Sequence, residues 1–202
     1  LDMIFISHLH PDHFLGLPGL ISSLSLKGRT APLDIYSPKG LKEILDVQFL
    51  YGGVHLSYEI RYHIFTEGDE NVEFEDKLIK ISSFPVTHRV PCRGFLFEEK
   101  KAPRKMNKEI QSASHLPPEA YPVLRSGKDY VDNEGKIWRF EEYTLPNEKP
   151  MSYAYITDTL YLPALAGRLK NHHIHTLYHE STFMHDLKEK ADLTCHSTAI
   201  EA

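Results

Sequence analysis

Seven residues, Ser7-His8-Leu9-His10-Pro11-Asp12-His13, constrain this chain more than any other stretch of it. They follow residues 1–6, a short apolar run whose length and Ile/Phe content read as a buried strand rather than a helix. Four potential ligands, three imidazoles and a carboxylate, therefore crowd the C-terminal end of one strand. Alternate side chains of an extended segment share a side, which puts His8, His10 and Asp12 together; His13 joins them only if the chain bends after Asp12. Two imidazoles then face one metal, and Asp12-His13 a second. The chain holds 13 histidines in 202 residues, and neutral imidazole is the commonest metal ligand, so the composition points the same way.

Beyond this loop the pattern alternates between strand and helix. Residues 14–24, with Gly16, Pro18 and Gly19 among leucines, read as a turn leading into a helix packed on a sheet. Residues 33–36 form the next strand. Residues 41–50 form an amphipathic helix, with Leu41, Ile44, Leu45, Val47 and Phe49 mostly at helical spacing. Residues 58–65, 72–74 and 78–84 are expected to make a β-meander with a turn at Gly68-Asp69. Strands follow at 95–97, 151–156 and 174–178, with a helix at 160–169, and residues 198–202 read as the opening of another helix. Between Glu98 and Pro150 the core pattern lapses. Lys100, Lys101, Arg104, Lys105 and Lys108 lie within nine residues, followed by Pro117-Pro118, Pro122, Gly127 and a hairpin turn at Asn133-Glu134-Gly135. This stretch is either a solvated surface insertion or an arm that grips phosphate.

Composition excludes several classes of protein. The net charge of −5, from 23 basic and 28 acidic residues, means that a polyanion must be held by a local basic patch or by metal. Cys92 and Cys195 are the only cysteines, too few for a disulfide framework or a four-cysteine zinc site, and they fit a reducing, cytoplasmic compartment. The apolar runs break well short of the roughly 20 residues of a membrane span, so no membrane partner is expected.

The His-x-His-x-Asp-His loop after a buried strand resembles the signature of metallo-β-lactamase-fold hydrolases. Leu15-Gly16-Leu17-Pro18-Gly19-Leu20 and Ile35-Tyr36-Ser37-Pro38-Lys39-Gly40-Leu41-Lys42-Glu43 resemble the ribonuclease Z family in particular, the endonucleases that mature tRNA 3′ ends. So do Val86-Thr87-His88 with Gly94-Phe95, Ile156-Thr157-Asp158-Thr159, His179-Glu180-Ser181-Thr182-Phe183 and His196-Ser197-Thr198, in that order. The resemblance implies an α/β (α+β) fold, a metallo-β-lactamase-like αββα sandwich of two mixed sheets with outer helices. This would be one domain over residues 1–202, incomplete at both ends, with a protruding tRNA-binding arm inserted at 99–150. It implies one zinc held by His8, His10 and His88, a second by Asp12 and His13, and Asp158 bridging the two. Asp12 would also orient or deprotonate the attacking water. His196, with Glu180 behind it, would protonate the leaving oxygen. Lys100, Lys101, Arg104, Lys105, Lys108, Arg125 and Lys128 would contact tRNA phosphates, with Tyr121, Tyr130 and Trp138 either stacking on bases or packing the arm's own core. Precursor tRNA is the implied substrate and a homodimer the implied assembly.

Some features depart from the family. Its last histidine ligand lies well past the His-Ser-Thr loop, whereas this chain stops at Ala202, six residues after His196. The chain also begins directly on a strand. It is therefore expected to be part of a longer polypeptide or a variant that has lost both ends, with the second zinc site incomplete and activity weak or absent. Ser181 replaces a commoner Ala, and Glu119-Ala120 stands where the arm usually has Gly-Pro. Two other readings follow from the same residues: a hydrolase of this fold acting on a small phosphodiester, thioester or lactone, and a tRNA-binding relative without catalysis.

Overall fold

The computed structural model describes residues 1–65, 68, 70–113 and 115–202; Asp69 of the expected Gly68-Asp69 turn lies outside them. The chain starts with β1 (Met3–Phe5), α1 (Pro11–Phe14), α2 (Leu17–Leu26), β2 (Leu33–Ser37), α3 (Leu41–Tyr51), β3 (Ile60–Ile64), β4 (Asn71–Glu75), β5 (Ile79–Val86) and β6 (Cys92–Glu99). Next come β7 (Lys105–Met106), α4 (Lys108–Ala113), α5 (Ala120–Arg125), β8 (Tyr130–Val131), β9 (Ile137–Trp138), α6 (Phe140–Tyr143) and β10 (Thr144–Leu145). It finishes with β11 (Ser152–Ile156), α7 (Pro163–Lys170), β12 (Thr176–His179) and α8 (Lys188–Thr194). Contacts group these elements into two compact units, residues 1–98 with 152–202, and residues 99–151.

The larger unit holds two sheets. One has the order β1-β2-β3, the other β12-β11-β6-β5-β4. Strand alternation explains how they stack. Leu33 and Ile35 of β2 point to one side and are fully buried with Ile21 of α2 and with Leu41 and Leu45 of α3. Each such side chain contributes about 1.5–3 kcal/mol by leaving water. Phe5 of β1 points to the other side, where its ring meets Phe95 and Phe97 of β6 at 5.5 and 5.7 Å. The outer face of the second sheet buries Phe84, Leu96, Ala154 and Ile156 against Leu165 and Leu169 of α7. The layers are therefore helix, sheet, sheet, helix.

Several details differ from the sequence reading. Residues 58–65 and 72–84 do not form a meander: β3 pairs in parallel with β2 in the first sheet, while β4 and β5 form an antiparallel pair in the second. Alternating hydrophobicity reports a strand but carries no information about its sheet. The expectation of two mixed sheets holds for the second, where β11 runs parallel to β12 and antiparallel to β6. The first is all parallel among the described residues, because helical crossovers connect its strands. The helix expected at 160–169 spans Pro163–Lys170, since proline is favoured in the first helical turn. Residues 198–202 form a turn in which the Glu201 carboxylate accepts from the Thr198 N–H (3.0 Å) and hydroxyl (2.9 Å), as at a helix start.

Residues 99–151 have a small core of their own, Leu116, Ala120, Leu124 and Trp138, ringed by Met106, Tyr121, Tyr130, Phe140 and Tyr143. β7 pairs with β10, and β8 with β9 across the turn at residues 132–135. Trp138 belongs to this core, and its Nε1–H donates to Asp132 Oδ2 (3.1 Å).

Gly94 of β6 shows how closely the larger unit is packed. A Cβ there would lie 2.5 and 2.7 Å from ring atoms of the fully buried Phe84 and 3.2 Å from the Tyr155 carbonyl. Neither neighbour has room to retreat. Gly94→Ala is therefore expected to lower stability by about 1–3 kcal/mol; an unchanged urea midpoint would refute this packing.

Candidate metal centre

The candidate residues sit just past the C-terminal ends of β1, β5, β11 and β12. Rigid strands place His8, His88, Asp158 and Glu180, so the geometry is not left to mobile loops. His8 is fully buried and follows Ile6, whose N–H still pairs with the Tyr36 carbonyl at 2.8 Å. His13 is turned toward the others by α1. Pro11 opens that helix, and the His13 N–H bonds the His10 carbonyl at 3.0 Å, so the bend comes one residue before Asp12 rather than after it.

The side chains converge on Asp158. Its Oδ2 lies 3.2 Å from His13 Nε2, 3.5 Å from His8 Nε2 and 3.6 Å from His88 Nε2. His10 Nδ1 and His88 Nε2 face each other at 3.1 Å. Donor atoms of His8, His10, His88 and Asp158 all lie within 4.8 Å of one another. Asp12 is mostly exposed, with Oδ2 3.4 Å from His13 Nε2. A second group beside the first joins Asp158 to Glu180 and His196.

The hydrogen bonds say which ring nitrogens are bare. The Cys195 carbonyl, 2.9 Å from His88 Nδ1, can only accept, so Nδ1 carries the proton and the neutral ring's Nε2 presents its lone pair to the cluster. His8 Nδ1 lies 3.0 Å from Ser7 Oγ and 3.5 Å from Cys92 Sγ, whereas its buried Nε2 has no hydrogen-bond partner. His8 Nε2 is thus buried with the Asp158 carboxylate 3.5 Å away but no hydrogen bond to satisfy it, and imidazoles that converge with a carboxylate are a donor set that suits a divalent cation. Burial depresses the pKa of both His10 and His88, keeping these ligands neutral at pH 7. Burial alone would raise the Asp158 pKa, but the imidazoles of His8, His13 and His196 outweigh it and hold the carboxyl well below the usual carboxylate range.

Glu180 organises the adjoining side. Its buried Oε1 accepts from the Thr159 N–H (2.8 Å) and from His196 Nδ1 (2.8 Å). Oε2 accepts from the Thr182 N–H (3.0 Å) and hydroxyl (2.6 Å). His196 consequently keeps Nε2 as the nitrogen able to give up or take a proton. Sequence reasoning did not assign roles to Ser7, Cys92, Thr159, Thr182 or Cys195, all of which support these residues. Burial pushes the Cys92 thiol up to about 12, so it acts as a neutral neighbour of His8.

Within residues 99–151, Lys105, Lys108 and Arg125 line one groove of about 830 Å³ with Asn107 and Tyr121. Lys101 and Lys128 are exposed and Lys100 is half-buried. Arg104 is not in the groove: its Nε donates to Thr144 Oγ1 (2.6 Å) and its guanidinium lies 5.0 Å over the Phe140 ring.

Residues 1–105 match the β-lactamase superfamily domain, and the chain belongs to that superfamily. Its fold is the metallo-β-lactamase fold: it superposes on the short form of human tRNase Z with a TM-score of 0.67 at 21% identity, over all of this chain and 65% of that one. Within the superfamily it is 38% identical to a Ribonuclease Z of Bacteroides fragilis, over all of this chain and 66% of that protein. It is 39% identical to a Ribonuclease Z of Porphyromonas gingivalis, over 98% of this chain and 65% of that protein. The chain thus spans just under two thirds of the length of the curated relatives it matches.

Removing the Glu180 carboxylate would leave the fully buried Thr159 N–H without an acceptor and take from His196 Nδ1 and the exposed Thr182 N–H their carboxylate partner. Glu180→Ala is therefore expected to lower the unfolding free energy by about 1–3 kcal/mol, and Glu180→Gln by less. Equal urea midpoints for the wild type and the alanine variant would contradict this role.

Proposed function

We propose that this chain carries the metal centre and RNA-gripping insertion of a zinc-dependent endoribonuclease that cleaves the 3′ trailer of precursor tRNA. One observation carries the reading: His8, His10, His88 and Asp158 converge, with His8 Nε2 buried and making no hydrogen bond, in a chain 38% identical to a Ribonuclease Z. His8, His10 and His88 would hold one zinc, Asp12 and His13 the other, with Asp158 between them. When bound, the ions supply Lewis-acid activation of water and neutralise charge on the phosphodiester. The chain's own groups do the rest. Asp12, exposed beside His13, accepts the proton of the attacking water. His196, whose Nδ1–H is held by Glu180, offers Nε2–H to the leaving oxygen. The cationic groove over Lys105, Lys108 and Arg125 contacts phosphates without reading sequence, with Lys100, Lys101 and Lys128 adding charge along residues 99–150. The enzyme would work as a cytoplasmic homodimer. No helix among the described residues is long and apolar enough to cross a membrane.

The test is zinc content per chain beside cleavage of a 3′-extended precursor tRNA, for this polypeptide and for a version extended to the relatives' length. Close to two zincs and cleavage by the extended form support the reading; zinc without tRNA cleavage in that form turns it toward small phosphodiesters. Because burial keeps His10 and His88 neutral at pH 7, zinc affinity from chelator competition should hold down to about pH 6.5 before protons compete. A steep fall already between pH 8 and 7 would point to other ligands. Reversing Lys105, Lys108 and Arg125 to Glu should weaken tRNA binding and reduce the slope of log K against log salt by up to about 3, at roughly 0.7–0.9 per phosphate contact.

A further inference from the structure

We propose that Cys195 is a positioning residue of this centre and acts through its backbone. Among the described residues only His173 and Cys195 adopt positive φ without being glycine, and Cys195 lies at φ 58°, ψ 51°. It ends α8. Its N–H donates to the Asp192 carbonyl (3.2 Å), and the His196 N–H donates to the Ala191 carbonyl (2.9 Å), a paired helix-ending turn that usually employs glycine. A side chain is disfavoured in this left-handed region, and such conformations persist where the surrounding structure over-determines them, commonly at functional sites.

The turn sets two histidines at once. It aims the Cys195 carbonyl at His88 Nδ1 (2.9 Å), which fixes the tautomer whose bare Nε2 faces His10 Nδ1 (3.1 Å) and Asp158 Oδ2 (3.6 Å). It also delivers the next residue, His196, to Glu180 Oε1 at 2.8 Å, with its ring centre 5.0 Å from that of His88. A right-handed backbone at Cys195 would turn the carbonyl away and leave the His88 tautomer unspecified. The inference rests on the metal-centre reading only for its consequence on zinc affinity; the tautomer is a property of the metal-free chain.

The test uses this chain with ¹⁵N-labelled histidine, stripped of metal, with the His88 resonances assigned by their loss in His88→Gln. The wild type is expected to show the Nδ1–H tautomer at His88. Cys195→Gly, which adopts the left-handed conformation freely, should keep that tautomer and the zinc affinity. Cys195→Val, whose branched side chain opposes the conformation most, should lose the signature and bind zinc about 10- to 100-fold more weakly at unchanged circular dichroism. An Nε2–H tautomer of His88 in the wild type would overturn the proposal whether or not any variant folds. So would a folded valine variant that retains both tautomer and affinity. If the tautomer is as expected but zinc does not bind, the positioning role stands and the metal-centre reading fails.

Discussion

A single carboxylate oxygen, Asp158 Oδ2, with three imidazole nitrogens 3.2 to 3.6 Å away, is the constraint around which the larger unit is arranged. Imidazoles and a carboxylate cannot be gathered out of water by attraction alone, because each loses hydration on approach. Their positions have to be imposed by something stiffer. Here the stiffness comes from strands: the donors follow β1, β5 and β11, and the glutamate that anchors His196 follows β12. The two buried apolar clusters lie on the outward faces of the sheets, and their burial free energy holds the strand ends in register.

Connectivity makes this arrangement possible. The crossovers through α2 and α3 keep β1, β2 and β3 parallel, so the loops after β1 and β2 leave from the same edge. In the second sheet the parallel pairing of β11 with β12 brings Asp158 and Glu180 out side by side, with Ile156 in register with His179. Gly94 in β6 leaves the space that the edge of the Phe84 ring occupies, two residues before Val86, which ends the strand that leads to His88. Packing inside the sandwich is thus linked directly to where a ligand emerges.

The chain's own letters showed much of this and concealed some of it. The loop from His8 to His13 was legible because ligand chemistry is rare at that density, and His88 and Asp158 were legible through the motifs around them. The bend that turns in His13 was misplaced by one residue, since alternation describes an extended chain while Pro11 starts a helical turn. Strand β3 looked continuous with β4 and β5 because hydrophobic alternation is blind to which sheet a strand joins. Cys195 could not be read at all: the left-handed turn it occupies is normally signalled by glycine, and only tertiary structure shows its carbonyl meeting His88. Arg104 looked like its basic neighbours, yet its guanidinium is held by Thr144 and Phe140.

The remaining histidines show why abundance alone does not define a site. His63 meets Asp34 at 2.7 Å and stacks on Tyr36; His172 meets Glu98 at 3.1 Å; His175 Nδ1 lies 3.1 Å from Ser152 Oγ. Each has a protein partner for a ring nitrogen, so these contacts leave no convergent set of bare nitrogens facing a common point. His8, His10 and His88 differ in having their bare or facing nitrogens turned toward one another and toward a carboxylate. For His88 the opposite nitrogen is tied to a backbone carbonyl, and for His8 it lies beside Ser7 and Cys92. What separates a ligand from an ordinary buried histidine is therefore which of its two nitrogens the backbone has already engaged, and that is decided by the residues beside the motif as much as by the motif itself.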